Sequence, residues 1–192
     1  MSDRSFSDRI DSLFPAELSP TGKDLKLNLK RFTSSKLAAA DSALVTVALA
    51  AVAGHGPLLA VARDAALAEG LGAEAIKEAV EAGAMMTMLN LYYRFRHMSD
   101  HDREPGSVDR YGPAGLRMNA MANPVLGKQL YEQIAFAVSV VNGCERCINA
   151  HEQELLRHGL SHEVLHDLAR LAATVSALAA HERGAKLASD LM

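Results

Sequence analysis

The stretch NGCERCINAH, residues 142–151, contains both cysteines of the chain, separated by two residues, and a histidine four residues after the second. The Asn-Gly pair breaks one helical run, so a new helix is expected to begin close to Cys144. At about 100° per residue, Cys144, Cys147 and His151 then lie within roughly 60° of arc on one helix face. A helix N-terminus favours a thiolate, and an imidazole one turn away can move its proton. The spacing therefore indicates thiol redox chemistry.

A carboxylate is expected to join this cluster from the preceding helix. If the helices flanking the turn run antiparallel, residues at about equal distances before and after it meet. Glu132 lies ten residues before Asn142, and His151 lies eight residues after Gly143. Glu132 also stands near the beginning of the otherwise apolar run YEQIAFAVSVV. A carboxylate there would orient His151 or relay protons towards Cys147, directly or through one water.

Three other interpretations of the cysteine pair are open. Buried cysteines are often inert small hydrophobes, although the CxxC spacing with a histidine in register argues against that use. A structural zinc site normally has two separated ligand pairs, and here it would need both thiols, the histidine and the glutamate, which is an unusual set. A purely structural disulfide would close a very small loop in a reducing compartment. We therefore expect no metal ion and favour redox use.

The composition predicts an all-α protein. Of the 192 residues, 49% are hydrophobic and 22% charged, which is typical of a folded globular chain, whereas only 5% are aromatic and tryptophan is absent. Few aromatic residues with abundant Ala, Leu, Met and Glu favour packed helices over a sheet. No alternating pattern suggests a strand, and apolar residues at helical spacing predict helices over 36–53, 57–70, 73–89, 128–141, 145–158 and 162–181.

The two halves of the chain resemble each other at an offset of 89 positions, which takes Gly54 to Gly143 and Gly70 to Gly159. Each half reads as helix, sharp turn, helix, Gly-Leu turn, helix. We therefore predict that residues 1–192 form a single domain, a compact helical bundle built from an internal duplication of a three-helix unit. The predicted pseudo-repeats are about 36–98 and 126–187, joined by the stretch near 99–125.

The polar cluster does not share this repeat. At the same offset, Cys144 corresponds to His55, Cys147 to Leu58, His151 to Ala62 and Glu132 to Ala43. Residues required only for packing would recur in both copies. The asymmetry therefore favours a functional site in the second copy.

Several function classes are not supported by the sequence. The net charge of −3 offers no electrostatic footprint for nucleic acid, and the basic run Lys23, Lys26, Lys30 and Arg31 is expected to form one solvated helix face. The charged N-terminal segment does not resemble a secretory signal. The longest uncharged stretch, 42–59, is interrupted by Gly and Pro and falls short of the about 20 apolar residues of a membrane span. We expect a cytoplasmic protein that binds neither membranes nor nucleic acid.

Other polar groups are less informative. The segment LNLYYRFRH at 89–97 could line a pocket, but we expect an amphipathic helix end with its arginines at the surface. The methionines at 85, 86 and 88 are expected to fill the core.

With these residues in view, the chain resembles the alkyl hydroperoxidase D (AhpD) family. The segment EQIAFAVSVVNGCERCINAHE, residues 132–152, shows the family's glutamate, eleven intervening residues, CxxC, three residues and histidine. Some members carry a histidine inside the CxxC, and here that place is Arg146. The likeness covers most of the chain through the supporting segments DLKLNL at 24–29, NLYYRFR at 90–96 and GLRMNAMANP at 115–124.

The resemblance implies an all-helical homotrimer that acts as an antioxidant peroxidase. Such an oxidoreductase reduces organic hydroperoxides and recharges the peroxiredoxin AhpC. Its electrons come from dihydrolipoyl groups on the lipoylated acyltransferase of a dehydrogenase complex, and it binds no cofactor. Carried over position by position, Cys147 matches the cysteine that becomes a sulfenic acid, and Cys144 matches its disulfide partner and proton donor. His151 and Glu132 match the proton relay.

The two lines of reasoning differ over which thiol is reactive. The helix terminus favours Cys144 as the more acidic thiol, whereas the resemblance makes Cys147 the peroxide-reactive one. The Glu132–His151 pair favours Cys147, and we follow it. Two alternatives stay open: a disulfide reductase that serves AhpC with little peroxidase activity of its own, and a helical metal-binding or scaffolding protein.

Overall fold

The computed structural model describes residues 5–100 and 111–191. Within these ranges the chain forms eight α-helices and no strand, which confirms the all-α prediction. None of the described helices has a run long and apolar enough to cross a membrane. Short 3₁₀ turns occur at Asp11–Leu13 and Asn119–Met121. The helices are α1 (Phe6–Ile10), α2 (Pro20–Thr33), α3 (Ala39–Ala53), α4 (Gly56–Ala68), α5 (Ala73–Asp100), α6 (Lys128–Asn142), α7 (Glu145–Arg157) and α8 (His162–Asp190).

Helices α3 and α6 form the centre of the bundle. Helix α3 carries apolar or small residues on all sides over 42–50, and α6 does so over 134–141 after a polar first turn; each is buried over most of its length. A helix with that pattern is stable only in the interior. Helix α3 packs against α4, α5, α6 and α8, and α6 packs against α5, α7 and α8. Helices α3 and α5 approach closely at Gly83, where a Cβ atom would lie 3.0 Å from Cγ2 of Val52.

The helix boundaries of the two halves coincide at the offset of 89 positions. Helices α3 and α4 and the start of α5 map residue for residue onto α6, α7 and the start of α8. Gly54 and Gly143 end α3 and α6 with φ of 68° and 62°, a left-handed conformation that glycine adopts without strain. In each turn the N–H of the next residue, His55 or Cys144, bonds to the carbonyl five residues before it, at 2.9 and 3.2 Å. An origin by duplication and the single-domain organisation stay predictions.

The sequence-based helix ends were wrong for the two long helices. Helix α5 runs to Asp100 instead of ending near 89, and α8 runs to Asp190 instead of ending near 181. Both helices pass beyond the buried centre, so the apolar periodicity fades before they end. The stretch near 99–125, expected to join the repeats, lies partly outside the described residues.

The basic run expected to form a solvated face lies on α2, which is not among the six predicted helices. Two of its lysines are not simply solvated, because the Nζ atoms of Lys26 and Lys30 lie 3.0 and 2.9 Å from the carboxylate oxygens of Asp11. The hydrogen bonds from Lys30 and then Lys26 lower the pKa of Asp11 below its ordinary value. These contacts join the N-terminal segment to α2.

Candidate active site

Cys144 and Cys147 are joined by a disulfide at the turn between α6 and α7. Gly143 ends α6, Cys144 is the N-cap residue of α7, and Cys147 stands in the first helical turn. Among the described residues, no side chain accepts a hydrogen bond from the N–H groups in the first turn of this helix. Uncapped N–H groups favour negative charge, which here would be a thiolate after reduction of the disulfide.

Of the two cysteines, Cys147 is the one that faces open space. It is 6% exposed and lines a pocket of about 230 Å³, whereas Cys144 is 1% exposed and does not line it. On the side of α7 the pocket is also lined by Arg146, Ala150 and His151. A molecule that enters the pocket therefore meets the sulfur of Cys147.

The contact expected between Glu132 and His151 is present. Nδ1 of His151 lies 2.6 Å from Oε2 of Glu132, and both side chains are largely buried. With Nδ1 donating to the carboxylate, Nε2 is the acceptor of the neutral ring. Among the described residues, neither sulfur has a hydrogen bond to His151. In that same part of the chain, no group of three or more His, Cys, Asp or Glu residues is placed to hold a metal ion.

A buried tyrosine stands next to this pair. Burial raises the pKa of Tyr131, and the carboxylates of Glu78 and Glu132 raise it further. Each of these causes disfavours the phenolate form. Tyr131 is therefore a neutral group beside the carboxylate of Glu132.

The opposite wall of the pocket is apolar. Helix α5 contributes Met86, Leu89 and Tyr93, and the segment before α6 contributes Met118 and Met121. Methionine side chains are flexible and polarisable, so they adapt to apolar ligands of different shapes. The pocket suits a hydrocarbon body rather than a strongly polar molecule.

Glu78 of α5 fixes the segment that carries Met118 and Met121. Its Oε1 and Oε2 atoms accept the backbone N–H groups of Val125 at 2.9 Å and Leu126 at 2.6 Å. The apolar wall consists of residues of α5 and of this segment, and Glu78 attaches the segment to α5. This role of Glu78 was not predicted from the sequence.

A buried polar network ties the disulfide turn to α5. Asn90 is fully buried, and its Nδ2 donates to Oγ of Ser139 at 2.9 Å. Its Oδ1 accepts from Nδ2 of Asn142 at 3.1 Å, and Arg94 donates to the carbonyl of Asn142 at 2.6 Å. This network was not predicted from the sequence. Asn90 could have indicated it, because this polar residue stands in the apolar run MMTMLNL and a buried amide requires hydrogen-bond partners.

Two expectations about α5 were therefore wrong: that the arginines of 89–97 lie at the surface, and that the methionines at 85, 86 and 88 all fill the core. Tyr93 lines the pocket, and Arg94 and Arg96 are half-buried and bonded to backbone carbonyls instead of lying at the surface. Met86 fills the core as expected and also lines the pocket, but Met88 is exposed.

Arg146 stands at the place where some members of the resembled family carry a histidine. Its guanidinium carbon lies 5.2 Å from the ring centroid of Tyr93, within cation–π range. The adjacent Glu145 lies 3.5 Å from Nε2 of His97. In the part of the chain that the structure describes, Arg146 makes no ion pair.

The equivalent turn of the first half is built differently. Nδ1 of His55 accepts the N–H of Leu58 at 3.0 Å and caps α4. Nε2 of His55 lies 2.9 Å from Oε2 of Glu182, although the two groups are not aligned as a hydrogen bond. The histidine and glutamate of the second half are replaced by Ala62 and Ala43. The first half thus repeats the backbone without the thiols or their acid–base pair.

Known proteins share this sequence over most of its length. Residues 112–190 match the model of the Carboxymuconolactone decarboxylase family. The chain is 42% identical to a protein of Frankia alni named "Alkyl hydroperoxide reductase AhpD", over 82% of each chain. Proteins of the same name are 41% identical in Anaeromyxobacter dehalogenans, over 82% of each chain, and 37% identical in Streptomyces coelicolor, over 88% of this chain and 92% of the other. The match to the family model includes both cysteines, Glu132 and His151.

Proposed function

We propose that this chain, which belongs to the AhpD group of the carboxymuconolactone decarboxylase family, is a lipoyl-dependent alkyl hydroperoxide reductase. The observation that carries the proposal is the Cys144–Cys147 disulfide. Its Cys147 lines an apolar pocket next to the Glu132–His151 pair. The names of the relatives support the same class of reaction.

In the proposed reaction the two thiols supply two electrons. The Cys147 thiolate attacks the terminal oxygen of the hydroperoxide, so the O–O bond breaks and Cys147 becomes a sulfenic acid while the alkoxide leaves as an alcohol. The Cys144 thiolate then attacks the sulfur of Cys147, and water leaves as the disulfide forms. One dithiol and one hydroperoxide thus give one disulfide, one alcohol and one water. The exposure of Cys147 in the pocket supports its role as the first nucleophile.

His151 and Glu132 form the proposed proton relay. The imidazole accepts the proton of the Cys147 thiol and returns it to the leaving oxygen, and the carboxylate holds the ring through Nδ1. Cys144 supplies the second proton. The position of His151 in the lining of the same pocket as Cys147 supports this assignment.

The proposed electron donor is a dihydrolipoyl group of a partner protein, and no cofactor is bound. One lipoyl thiolate attacks the sulfur of Cys147 and displaces the Cys144 thiolate, which gives a mixed disulfide. The second lipoyl thiolate attacks the lipoyl sulfur of this mixed disulfide, which releases the Cys147 thiolate and closes the lipoyl disulfide. The proposed client is the peroxiredoxin AhpC. The family resemblance supports both partners, and the names of the relatives support AhpC.

The proposal includes three further properties; the trimer is taken from the resemblance, and the cytoplasmic location and the pseudo-repeats are taken from the sequence. The chain forms one cytoplasmic domain with two pseudo-repeats, and three copies form a trimer. Exposed apolar side chains on one side of α5, at Leu91, Phe95 and Met98, offer surface that association of copies would cover. Light scattering measures the number of copies.

Two experiments test the function. The pure protein is given an organic hydroperoxide with dihydrolipoamide, thioredoxin or glutathione as the reductant, and we expect turnover with dihydrolipoamide. Fast reduction of AhpC without hydroperoxide consumption would favour the disulfide reductase instead. Stoichiometric zinc in protein purified without added metal would favour the metal-binding alternative.

The cysteine variants separate the roles of the two thiols. Cys147→Ser is expected to abolish turnover. Cys144→Ser is expected to form one sulfenic acid, which dimedone traps at Cys147, and then to stop. A dimedone adduct on the remaining cysteine of Cys147→Ser, with none in Cys144→Ser, would reverse the assignment.

A further inference from the structure

Among the described residues, no carboxylate pairs with the guanidinium of Arg146, which lies at the wall of the pocket that Cys147 lines. It is the second residue of α7, directly before Cys147, and both residues line the pocket. The ring of Tyr93, 5.2 Å away, supports the guanidinium from the other wall. A cation held against a ring keeps its N–H donors available for an anion.

The nearby carboxylates are already engaged elsewhere. Glu145 lies 3.5 Å from His97, and Glu132 lies 2.6 Å from His151. Arg94, the other cation close to the turn, donates to the carbonyl of Asn142 and does not line the pocket. Arg146 is therefore the permanently charged group that an anionic ligand meets when it enters the described pocket.

The rest of the lining is suited to hydrocarbon, with Met86, Leu89, Met118 and Met121 facing the same space. An apolar pocket with one cation at its wall matches a ligand that has an apolar body and a carboxylate. Arginine binds carboxylates through two parallel hydrogen bonds, which gives selectivity as well as attraction.

We propose that Arg146 makes this pocket selective for hydroperoxides that carry a carboxylate, that is, amphipathic hydroperoxy acids. The proposal rests on the proposed hydroperoxide reductase function. The hydrocarbon part of the substrate lies against the methionines, its carboxylate pairs with Arg146, and its hydroperoxide reaches Cys147. Tyr93 is a positioning residue that holds the guanidinium.

A general electrostatic effect is the competing explanation. A cation next to Cys147 favours its thiolate, and that effect would act equally on every hydroperoxide. Selectivity for a carboxylate, in contrast, appears as a ratio between substrates that differ only in that group.

The first experiment compares a medium-chain hydroperoxy acid with its methyl ester, under dihydrolipoamide turnover. We expect kcat/KM of the native protein to be about two- to fivefold higher for the acid, mainly through KM, as for an exposed ion pair. The ratio is expected to fall to about one in Arg146→Met, to fall only partly in Arg146→Lys, which keeps the charge but not the paired hydrogen bonds, and to decrease with added salt. Tyr93→Phe is expected to keep the ratio, and Tyr93→Leu to lower it.

A second experiment reads binding without turnover. Octanoate is expected to slow alkylation of Cys147 by iodoacetamide in the reduced protein, and methyl octanoate is expected to do so less. The difference is expected to disappear in Arg146→Met.

The outcomes separate the inference from the proposed function. Hydroperoxide turnover with equal rates for acid and ester, or equal losses for both in Arg146→Met, would overturn the selectivity. Protection by octanoate through Arg146 without turnover of any hydroperoxide would refute the reductase function and leave the recognition of carboxylates standing. Absence of both the protection difference and the substrate preference would overturn the inference outright.

Discussion

Exchange of Glu132 for Gln tests whether this carboxylate acts in chemistry or only in packing. Gln keeps the size and one hydrogen-bonding oxygen but removes the charge that holds His151 through the 2.6 Å contact. We expect kcat/KM for an organic hydroperoxide to fall by about 10²–10⁴, the range typical of a lost proton-transfer partner.

The expected effect on stability is much smaller. The side chains of Glu132 and His151 are 19% and 13% exposed, so the contact is only weakly screened by water. A hydrogen bond to a charged group contributes about 1.5–3 kcal/mol, and a neutral one roughly half of that. Glu132→Gln should therefore cost about 1 kcal/mol and lower Tm by about 2–4 °C. A large kinetic loss with a small stability loss identifies a role in the reaction.

The assay is hydroperoxide consumption with dihydrolipoamide, combined with thermal unfolding, for Glu132→Gln, His151→Phe and the double variant. In the proposed relay the two residues act as one unit, so the double variant should lose about as much as the more damaging single variant. Strictly multiplicative losses would mean that the two residues act independently, and the relay would have to be abandoned.

The first half of the chain offers a matched control. Glu182 lies 2.9 Å from the buried His55, at the turn equivalent to the disulfide turn but without a thiol. Glu182→Gln removes a carboxylate from a histidine in the same way. Because Glu182 is 39% exposed and not aligned for a hydrogen bond, this substitution should lower Tm by no more than about 2–4 °C and leave turnover within about twofold. If it reduced turnover as much as Glu132→Gln, the kinetic loss would reflect general damage to the bundle.

Three further changes test the structure around the site. Replacing Cys144 and Cys147 together with Ala should preserve helical content and oligomeric state in circular dichroism and light scattering, because neither side chain caps α7; loss of the fold would favour a structural metal. Asn90→Ala should cost about 2–3 kcal/mol in urea unfolding, since it leaves buried partners unpaired, and Ser139→Ala about 1 kcal/mol. Tyr131→Phe should flatten the loss of stability at alkaline pH. Burial raises the pKa of Tyr131 above 10.0, so as the pH rises Tyr131 ionises in the unfolded chain before it does so in the folded protein. The contribution of Tyr131 to the free energy of unfolding is therefore complete below pH 10.0 and is lost as the pH rises through the folded pKa. Urea unfolding at neutral pH and above pH 10.0 measures this slope, and an unchanged slope would contradict it.

The disulfide turn was predictable because its signals are local. Asn-Gly ends one helix, the CxxC begins the next, and an antiparallel hairpin then brings Glu132 to His151 without further information. The same holds for the boundaries between the paired helices, where Gly54 and Gly143 adopt the left-handed conformation.

The pocket was not predictable because its walls depend on contacts between distant parts of the chain. Met118 lies in an irregular segment that is positioned by Glu78, through N–H groups 47 and 48 residues further along the chain. Asn90 and Arg94 extend α5 past its apolar run because their partners lie on α6. Periodicity detects which face of a helix is apolar, but it does not identify the partner of a buried polar group.

The two equivalent turns show why the thiols suit the second half. Both turns have the same backbone hydrogen bonds. In the first half, His55 accepts the N–H of Leu58 and Pro57 lacks an N–H, so the N-terminus of α4 has few donors left for an anion. In the second half, no side chain of the described ranges caps α7, and its first-turn N–H groups can stabilise the thiolates of Cys144 and Cys147. A thiolate stabilised in this way also leaves more readily in thiol–disulfide exchange. The backbone of the turn is therefore insufficient by itself; the open helix end makes this copy suitable for a dithiol that is oxidised and reduced in turn.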